Sequence, residues 1–68
     1  MVKVNEIRSR LALKEMTQLD LAERLGISKN TMSSRMTGKS FFTLEEVEQI
    51  CEILGIETVM EKRNIFLP

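Results

Sequence analysis

The apolar residues of this chain recur at intervals of three and four positions, which is the period of an α-helix. The pattern predicts four helices, over about residues 4–14, 18–25, 29–36 and 44–54. After Gly55 the pattern weakens, because residues 56–60 fit another helical turn while residues 64–68 fit an extended segment. A core of Leu, Ile, Val and Met, with three Phe and no Trp or Tyr, suits helices better than a sandwich or barrel. We therefore expect an all-α domain of four to five helices.

Residues that start and stop helices lie at the ends of these runs. Thr17 and Ser28 offer side-chain oxygens that can cap the second and third helices. Gly26 can supply the left-handed backbone that a sharp turn between them needs. Thr43 and Glu46 have the spacing of a capping box at the start of the fourth helix. The helix ends are thus predicted by local chemistry as well as by periodicity.

The predicted third helix has a narrow apolar side and a wide polar side. Met32 and Met36, one helical turn apart, are its only apolar residues, and the others are Lys, Asn, Thr, Ser and Arg. Such a helix is expected to attach to the core along one edge and to present a broad polar surface to its surroundings.

Residue types that most enzymes and metal sites require are missing from the sequence. Its 68 residues include no His, one Cys and no glycine-rich phosphate loop. Cys51 lies within an apolar stripe and is interpreted as a small core residue. The glutamates of the fourth helix have no opposed partner and are interpreted as a solvated face: Glu45, Glu46, Glu48 and Glu52. We expect no enzyme activity, no catalytic residue, no metal, no cofactor and no small-molecule ligand.

The length indicates one domain over residues 1–68, in which residues 56–68 are a possible dimerisation tail. No stretch approaches the roughly twenty apolar residues that span a bilayer, and no signal peptide is recognised. A cytoplasmic location without a membrane partner is expected.

The charges are distributed unevenly, although the net charge is zero. Residues 1–40 carry eight basic and four acidic side chains, a net of +4, and residues 41–68 carry two basic and six acidic ones, a net of −4. A DNA duplex would interact with the local electrostatic field of the basic half, residues 1–40, and not with the net charge of the whole chain. The neutral total therefore does not exclude a nucleic-acid partner.

The most informative segment is residues 17–39, TQLDLAERLGISKNTMSSRMTGK. Ala22 lies four residues before Gly26, Ile27 follows the turn, and Met32 lies five residues further on. Two short helices that cross steeply need a small residue where their backbones approach, a glycine in the turn and apolar residues that lock both to one core. Roughly residues 4–56 resemble the Cro and phage-repressor type of helix-turn-helix family, also called lambda-repressor-like. In that family a Gln begins the second helix, a Leu-Ala pair follows, and a Gly-Ile/Val-Ser turn leads to the recognition helix.

The resemblance implies a set of DNA contacts on the second and third helices. Lys29, Asn30 and Ser34 occupy positions that reach base edges in the family, and Ser33 lies beside them. Lys can donate to guanine, Asn can bond adenine bidentately, and Ser is permissive. The other implied contacts are to the DNA backbone: Gln18, Ser28, Arg35, Thr37 and Lys39. The alternative is that Asn30 and Ser33 are solvated surface and that Gln18 is an ordinary early helix residue. The basic residues of the first helix are interpreted as a solvated face with incidental phosphate contacts.

This chain departs from the family pattern in three places. Many members pair a buried Arg of the first helix with a Glu at the end of the recognition helix, and here those positions are Leu11 and Met36. Changing both partners to apolar residues avoids a stranded buried charge, so we expect the two side chains to touch in the core. The family's frequent aromatic residue one position earlier is Arg35, which is expected to turn outward to a phosphate. The loop over residues 40–42 is short and lacks extra basic residues, so lighter backbone contact is expected.

The resemblance implies a Cro-like phage or prophage repressor that binds a palindromic operator in double-stranded DNA as a homodimer. Two alternatives stay open: an antitoxin-type regulator whose tail engages a toxin, and a protein-interaction module that has lost DNA binding. The tail offers more apolar surface than a small core can absorb, through Ile56, Val59, Met60, Ile65, Phe66 and Leu67. It is expected either to build the dimer or to fold back over the core through Ile65 and Phe66.

Overall fold

Five helices make up the described part of the chain, residues 2–67, in the computed structural model. They are α1 Val4–Leu13, α2 Gln18–Leu25, α3 Lys29–Met36, α4 Leu44–Leu54 and α5 Val59–Phe66. The all-α prediction is confirmed, and the first four helices begin and end within one residue of the predicted bounds. After Gly55, where the sequence fitted both a helical turn and an extended segment, the chain forms helix α5.

The helix ends carry the caps that the sequence predicts. The Ser28 hydroxyl accepts a hydrogen bond from the backbone N–H of Thr31 at 3.0 Å. The Thr43 hydroxyl accepts from the Glu46 N–H, and the Glu46 carboxylate accepts from the Thr43 N–H, so the predicted capping box is confirmed. Gly26 ends α2 in the left-handed conformation, with φ of 72°. These local devices explain why the boundaries could be predicted.

Helix α2 begins with a second capping box, which was not predicted from the sequence. The Thr17 hydroxyl accepts from the Asp20 N–H at 3.0 Å, and the Asp20 carboxylate accepts from the Thr17 N–H at 2.9 Å. Two hydrogen bonds with Thr17 lower the pKa of the Asp20 carboxyl. The bond from the Thr17 backbone N–H has the larger effect, and the bond with the Thr17 hydroxyl has the smaller one. The start of the helix-turn-helix is therefore held at both residues of the box.

All five helices contribute side chains to one hydrophobic core. Its buried members are Ile7, Leu11, Leu21, Ala22, Met32, Met36, Ile50, Cys51, Leu54, Ile56, Ile65 and Phe66. Leu11 and Met36 are both buried in it, as the paired loss of the family's ion pair predicts, and their direct contact stays a prediction. Cys51 is buried as interpreted, and burial raises the pKa of its thiol.

Helix α5 closes the core from the side of α1. The two helices pack together, and the Lys3 N–H donates to the Ile65 carbonyl at 2.8 Å. The Phe66 ring meets Phe42 edge to face, with centroids 6.3 Å apart. Ile56, Ile65 and Phe66 are buried, so these tail residues fold back over the core. The expectation of leftover apolar surface is confirmed for three others: Val59, Met60 and Leu67.

Within residues 2–67, none of the helices is both long and apolar enough to cross a membrane.

Candidate nucleic-acid interface

Helices α2 and α3 form a unit that is anchored on one side only. The turn between them is closed by a hydrogen bond of 3.1 Å from the Ile27 N–H to the Ala22 carbonyl. Helix α2 packs against both α3 and α4, and α3 buries only Met32 and Met36. Because its apolar edge is held in the core, the remaining surface of α3 is directed away from it.

Two of the three predicted base-reading residues, Lys29 and Asn30, lie on that outer surface, together with Ser33, which was predicted to lie beside them. Lys29, Asn30 and Ser33 are exposed, and their side chains make no hydrogen bond or ion pair to residues 2–67. Their donors and acceptors are therefore available to base edges. Ser34 is half-buried, and its carbonyl accepts from the Lys39 N–H at 3.0 Å and the Ser40 N–H at 3.2 Å.

Two predicted phosphate contacts have hydroxyls that already cap the protein's own helix. Ser28 donates to the Thr31 hydroxyl at 2.9 Å while it accepts the Thr31 N–H. Thr37 donates to the Ser33 carbonyl at 2.9 Å. Either hydroxyl must turn its hydrogen away from this partner before it can donate to a phosphate oxygen.

The remaining backbone contacts lie at the edges of the unit. Gln18 is the first residue of α2 and is half-buried, and Lys39 is exposed just after α3. The ammonium of Lys39 has no ion-pair partner in residues 2–67, so its charge is free to meet a phosphate.

The expected outward direction of Arg35 is wrong. Its guanidinium turns toward α4, where Nε donates to Glu46 Oε1 at 2.9 Å and Nη2 donates to Oε2 at 3.3 Å. A third bond, from Nη1 to the Ser40 hydroxyl, measures 2.8 Å. The physical reason is Glu46, a carboxylate that is buried at the start of α4 and needs a cation beside it.

Glu46 is also an exception to the solvated face predicted for α4. Glu45, Glu48 and Glu52 are exposed as expected, while Glu46 is only 8% exposed. The hydrogen bonds from the Arg35 guanidinium lower the pKa of the Glu46 carboxyl. Burial raises this pKa, and the bond from the Thr43 N–H lowers it further. The carboxylate is thus kept charged in a place where an unpaired charge would be costly.

The charges around α3 favour an anionic partner. No Asp or Glu occurs from Arg24 to Leu44, and Arg24, Lys29 and Lys39 are exposed within that span. The charge of Arg35 in the same span is offset by Glu46. The span from Arg24 to Leu44 therefore carries an excess of positive charge, as the division of charge along the sequence indicated.

The basic face of α1 is less uniform than predicted. Arg10 is partly buried, and its Nη2 lies 3.4 Å from Glu61 Oε2 on α5. Its Nε lies 3.6 Å from Glu6 Oε1, too far for a hydrogen bond. Arg10 thus ties α1 to α5 and belongs to the scaffold. Lys3, Arg8 and Lys14 are exposed as expected.

Comparison with known families agrees with this geometry. A family model described as the Cro/C1-type HTH DNA-binding domain matches residues 6–65, which is nearly the whole chain. The chain belongs to this family. No curated protein and no solved structure matches it. The Cro/C1-type family is one of DNA-binding regulators, and α3 is the second helix of its helix-turn-helix, the helix that enters the major groove in this motif.

Two features of this Cro/C1-type domain were not predicted from the sequence, for different reasons. Asp20 stands three residues after Thr17, so the spacing of a capping box was present, with Asp in place of the usual Glu or Gln. The pairing of Glu46 with Arg35 had no such signal, because the two residues are eleven positions apart and lie in different helices.

A second surface of this Cro/C1-type domain is apolar. A groove of about 650 Å³ lies beside the end of α3, and its apolar lining is Val2, Val4, Met36, Phe41, Phe42 and Phe66. Phe41 is 88% exposed at its edge.

Within residues 2–67, no three His, Cys, Asp or Glu side chains are grouped to hold a metal ion.

Proposed function

We propose that this Cro/C1-type regulator is a Cro-like repressor, of phage or prophage origin, that binds a palindromic operator as a homodimer in the cytoplasm. The observation that carries the proposal is the outer face of α3, where Lys29, Asn30 and Ser33 are exposed and unpaired on a capped, anchored helix. An α-helix with such a face fits the major groove of B-DNA. Occupation of an operator that overlaps a promoter is enough to repress.

The proposed contacts divide into base readers and backbone contacts. Lys29 donates to O6 and N7 of a guanine, and Asn30 makes two bonds to an adenine. Ser33 and Ser34 lie beside them and tolerate several bases. The backbone is contacted by Gln18, Ser28, Thr37 and Lys39. Arg35 is left out of the direct contacts, because its guanidinium is occupied by Glu46 and Ser40.

The division is tested by Asn30→Ala and Lys39→Ala on an operator selected from a random DNA pool. Asn30→Ala should cost about 1 to 3 kcal/mol at that operator and relax preference at one base pair. Lys39→Ala should weaken all sequences alike and lower the log–log salt slope by about 0.9. Lys62→Ala, on the exposed side of α5, is the matched control and should change neither quantity. If the two phenotypes are exchanged, the assignment of roles is wrong.

The homodimer is proposed to form at the start of α5. Val59 and Met60 are adjacent there and are 72% and 74% exposed. A recognition helix of eight residues reads only a few base pairs, so specificity calls for a second copy about 34 Å away. The domain measures 29 × 25 × 20 Å, so two copies at that spacing lie side by side. Whether the two copies touch then depends on which surface of each copy faces the other.

The dimer is tested by replacing both Val59 and Met60 with Ser. Because these side chains lie outside the core, the variant should stay folded, become monomeric at tens of micromolar in sedimentation, and bind the operator more weakly. Leu13→Ser removes a side chain that is 84% exposed at the end of α1 and is the matched control. A wild type that is monomeric off DNA, with operator binding unaffected by the double substitution, contradicts this interface.

The apolar groove favours an antitoxin-type regulator as the second candidate. Phe41 and the groove give a protein partner an aromatic contact beside α3, while α3 stays available to DNA. Phe41→Ser would then abolish binding of a purified toxin partner and leave the affinity for the operator unchanged. A wild-type protein that shows no salt-sensitive binding to any duplex would instead favour an interaction module that has lost DNA.

A further inference from the structure

The bonds of Arg35 connect the recognition helix to the loop that follows it and to the next helix. Its three donors reach Glu46 at the start of α4 and Ser40 in the loop. We propose that Arg35 is a positioning residue, which clamps the loop over residues 37–43 so that Lys39 meets a DNA phosphate. This inference rests on the proposed DNA binding and assigns to Arg35 a role through Lys39, with no DNA contact of its own.

The loop is held at both of its ends by hydrogen bonds, and Arg35 contacts a residue at each end. At its beginning, the N–H groups of Lys39 and Ser40 both donate to the Ser34 carbonyl. At its end, the Thr43 N–H donates to Glu46 Oε1, the oxygen that also accepts from Arg35 Nε. The guanidinium thus bridges Ser40, at the first anchor point, and Glu46, which holds the second, and Lys39 is the residue directly before Ser40.

Direct contact of Arg35 with DNA is disfavoured by the state of Glu46. The side chains of Arg35 and Glu46 are only 18% and 10% exposed. To reach a phosphate the guanidinium would leave a carboxylate that is buried and satisfied by it, and a buried charge without its partner is costly. The planar fork also matches two carboxylate oxygens at once, a geometry that Lys cannot reproduce.

A double-mutant cycle between Arg35→Met and Lys39→Gln separates positioning from other roles. Binding of the full chain to a 30-base-pair duplex of mixed sequence is measured over a range of salt, after circular dichroism shows each variant folded. Each single variant should lose about five- to tenfold in affinity at 100 mM salt and about 0.9 in salt slope, the effect of one phosphate contact. The double variant should lose no more than either single one, because Arg35 acts only through Lys39. Lys62→Gln on α5, matched to Lys39→Gln, is the control and should leave both quantities unchanged.

Glu46→Gln distinguishes the clamp from a hidden phosphate contact. It releases the guanidinium with its charge intact, so positioning predicts that it resembles Arg35→Met. An affinity equal to or above that of the wild type would show that Arg35 contacts DNA itself and would overturn the proposal. Additive losses in the double variant would overturn it as well.

A second readout needs no DNA. Amide exchange at Lys39 and Ser40 should accelerate in Arg35→Met, while exchange at Ile56, which bonds the Cys51 carbonyl in the core, stays as in the wild type. Unchanged exchange at Lys39 and Ser40 contradicts the clamp. If the wild type binds no duplex, the proposed function fails first, and the DNA role of Arg35 fails with it.

Discussion

The recognition helix α3 and the helix that follows it, α4, are attached to the same core in opposite ways. Helix α3 buries two methionines, Met32 and Met36, and leaves half of its polar residues exposed. Helix α4 buries Ile50, Cys51 and Leu54, together with the charged Glu46. Helix α3 is attached to the core along one edge, whereas α4 contributes a whole apolar face to the core.

The difference separates stability from recognition within 68 residues. The residues that can be exchanged on α3 without opening the core are the ones that we propose to face a DNA base. The orientation of α3 then depends on a few attachments: its two methionines, its cap at Ser28 and the clamp at Arg35. A small domain can in this way change its operator while it keeps its fold.

The largest expected effect tests this separation directly. Ile50→Ala removes a side chain with no exposed surface from the middle of α4 and should lower the free energy of unfolding by about 2 to 5 kcal/mol. Ser33→Ala on the exposed side of α3 should change it by less than about 0.5 kcal/mol. Urea unfolding followed by circular dichroism measures both. Equal losses for the two variants would contradict the division of labour between the helices.

The second prediction concerns acid, because α4 carries a buried carboxylate and α3 carries none. The pKa of Glu46 is lowered from 4.5 in the folded state, so its contribution to stability is complete above pH 4.5 and is lost as the pH falls through the lowered value. Glu46→Gln should cost about 1 to 3 kcal/mol at pH 7 because it removes the charge from a bonded pair.

The measurement is urea unfolding of wild type and variant at a series of pH values. The two unfolding free energies should converge as the pH falls below 4.5. Glu48→Gln, on the exposed side of the same helix, is the control for acid effects elsewhere. A difference between wild type and Glu46→Gln that does not change with pH would show that the charge of Glu46 contributes nothing.

The same contrast explains how much could be predicted from sequence. The ends of α2, α3 and α4 depend on Thr17, Ser28 and Thr43, whose bonds reach only three residues along the chain. The direction of Arg35 depends on Glu46 in another helix, and the sequence carries no local sign of that pairing. Helix α5 falls between these cases, since its apolar positions suit either a helix or an extended segment until they meet the core.

The predicted contacts with DNA divide in the same manner. The exposure of Lys29, Asn30 and Ser33 follows from helical period, because Met32 and Met36 must occupy the buried edge. The engagement of the Ser28 and Thr37 hydroxyls in capping is a competition between bonds, which spacing alone does not decide. Which of these residues read the operator remains a prediction for the DNA-binding measurements above.

The smallest expected effect lies where the chain enters the helix-turn-helix. Helix α4 ends on Gly55 in the left-handed conformation with φ of 70°, whereas the turn after α1 places Glu15 there with φ of 54°. A non-glycine residue in the left-handed conformation costs about 1 to 2 kcal/mol, and glycine relieves this strain. Part of the relief is offset, because glycine loses more conformational entropy on folding. Glu15→Gly should therefore stabilise the domain by about 0.5 kcal/mol in urea unfolding. Gly55→Ala, whose added methyl meets nothing within 4 Å, should destabilise it by about 1 kcal/mol through backbone strain alone. A loss of stability in Glu15→Gly would mean that the Glu15 side chain contributes more than its backbone costs.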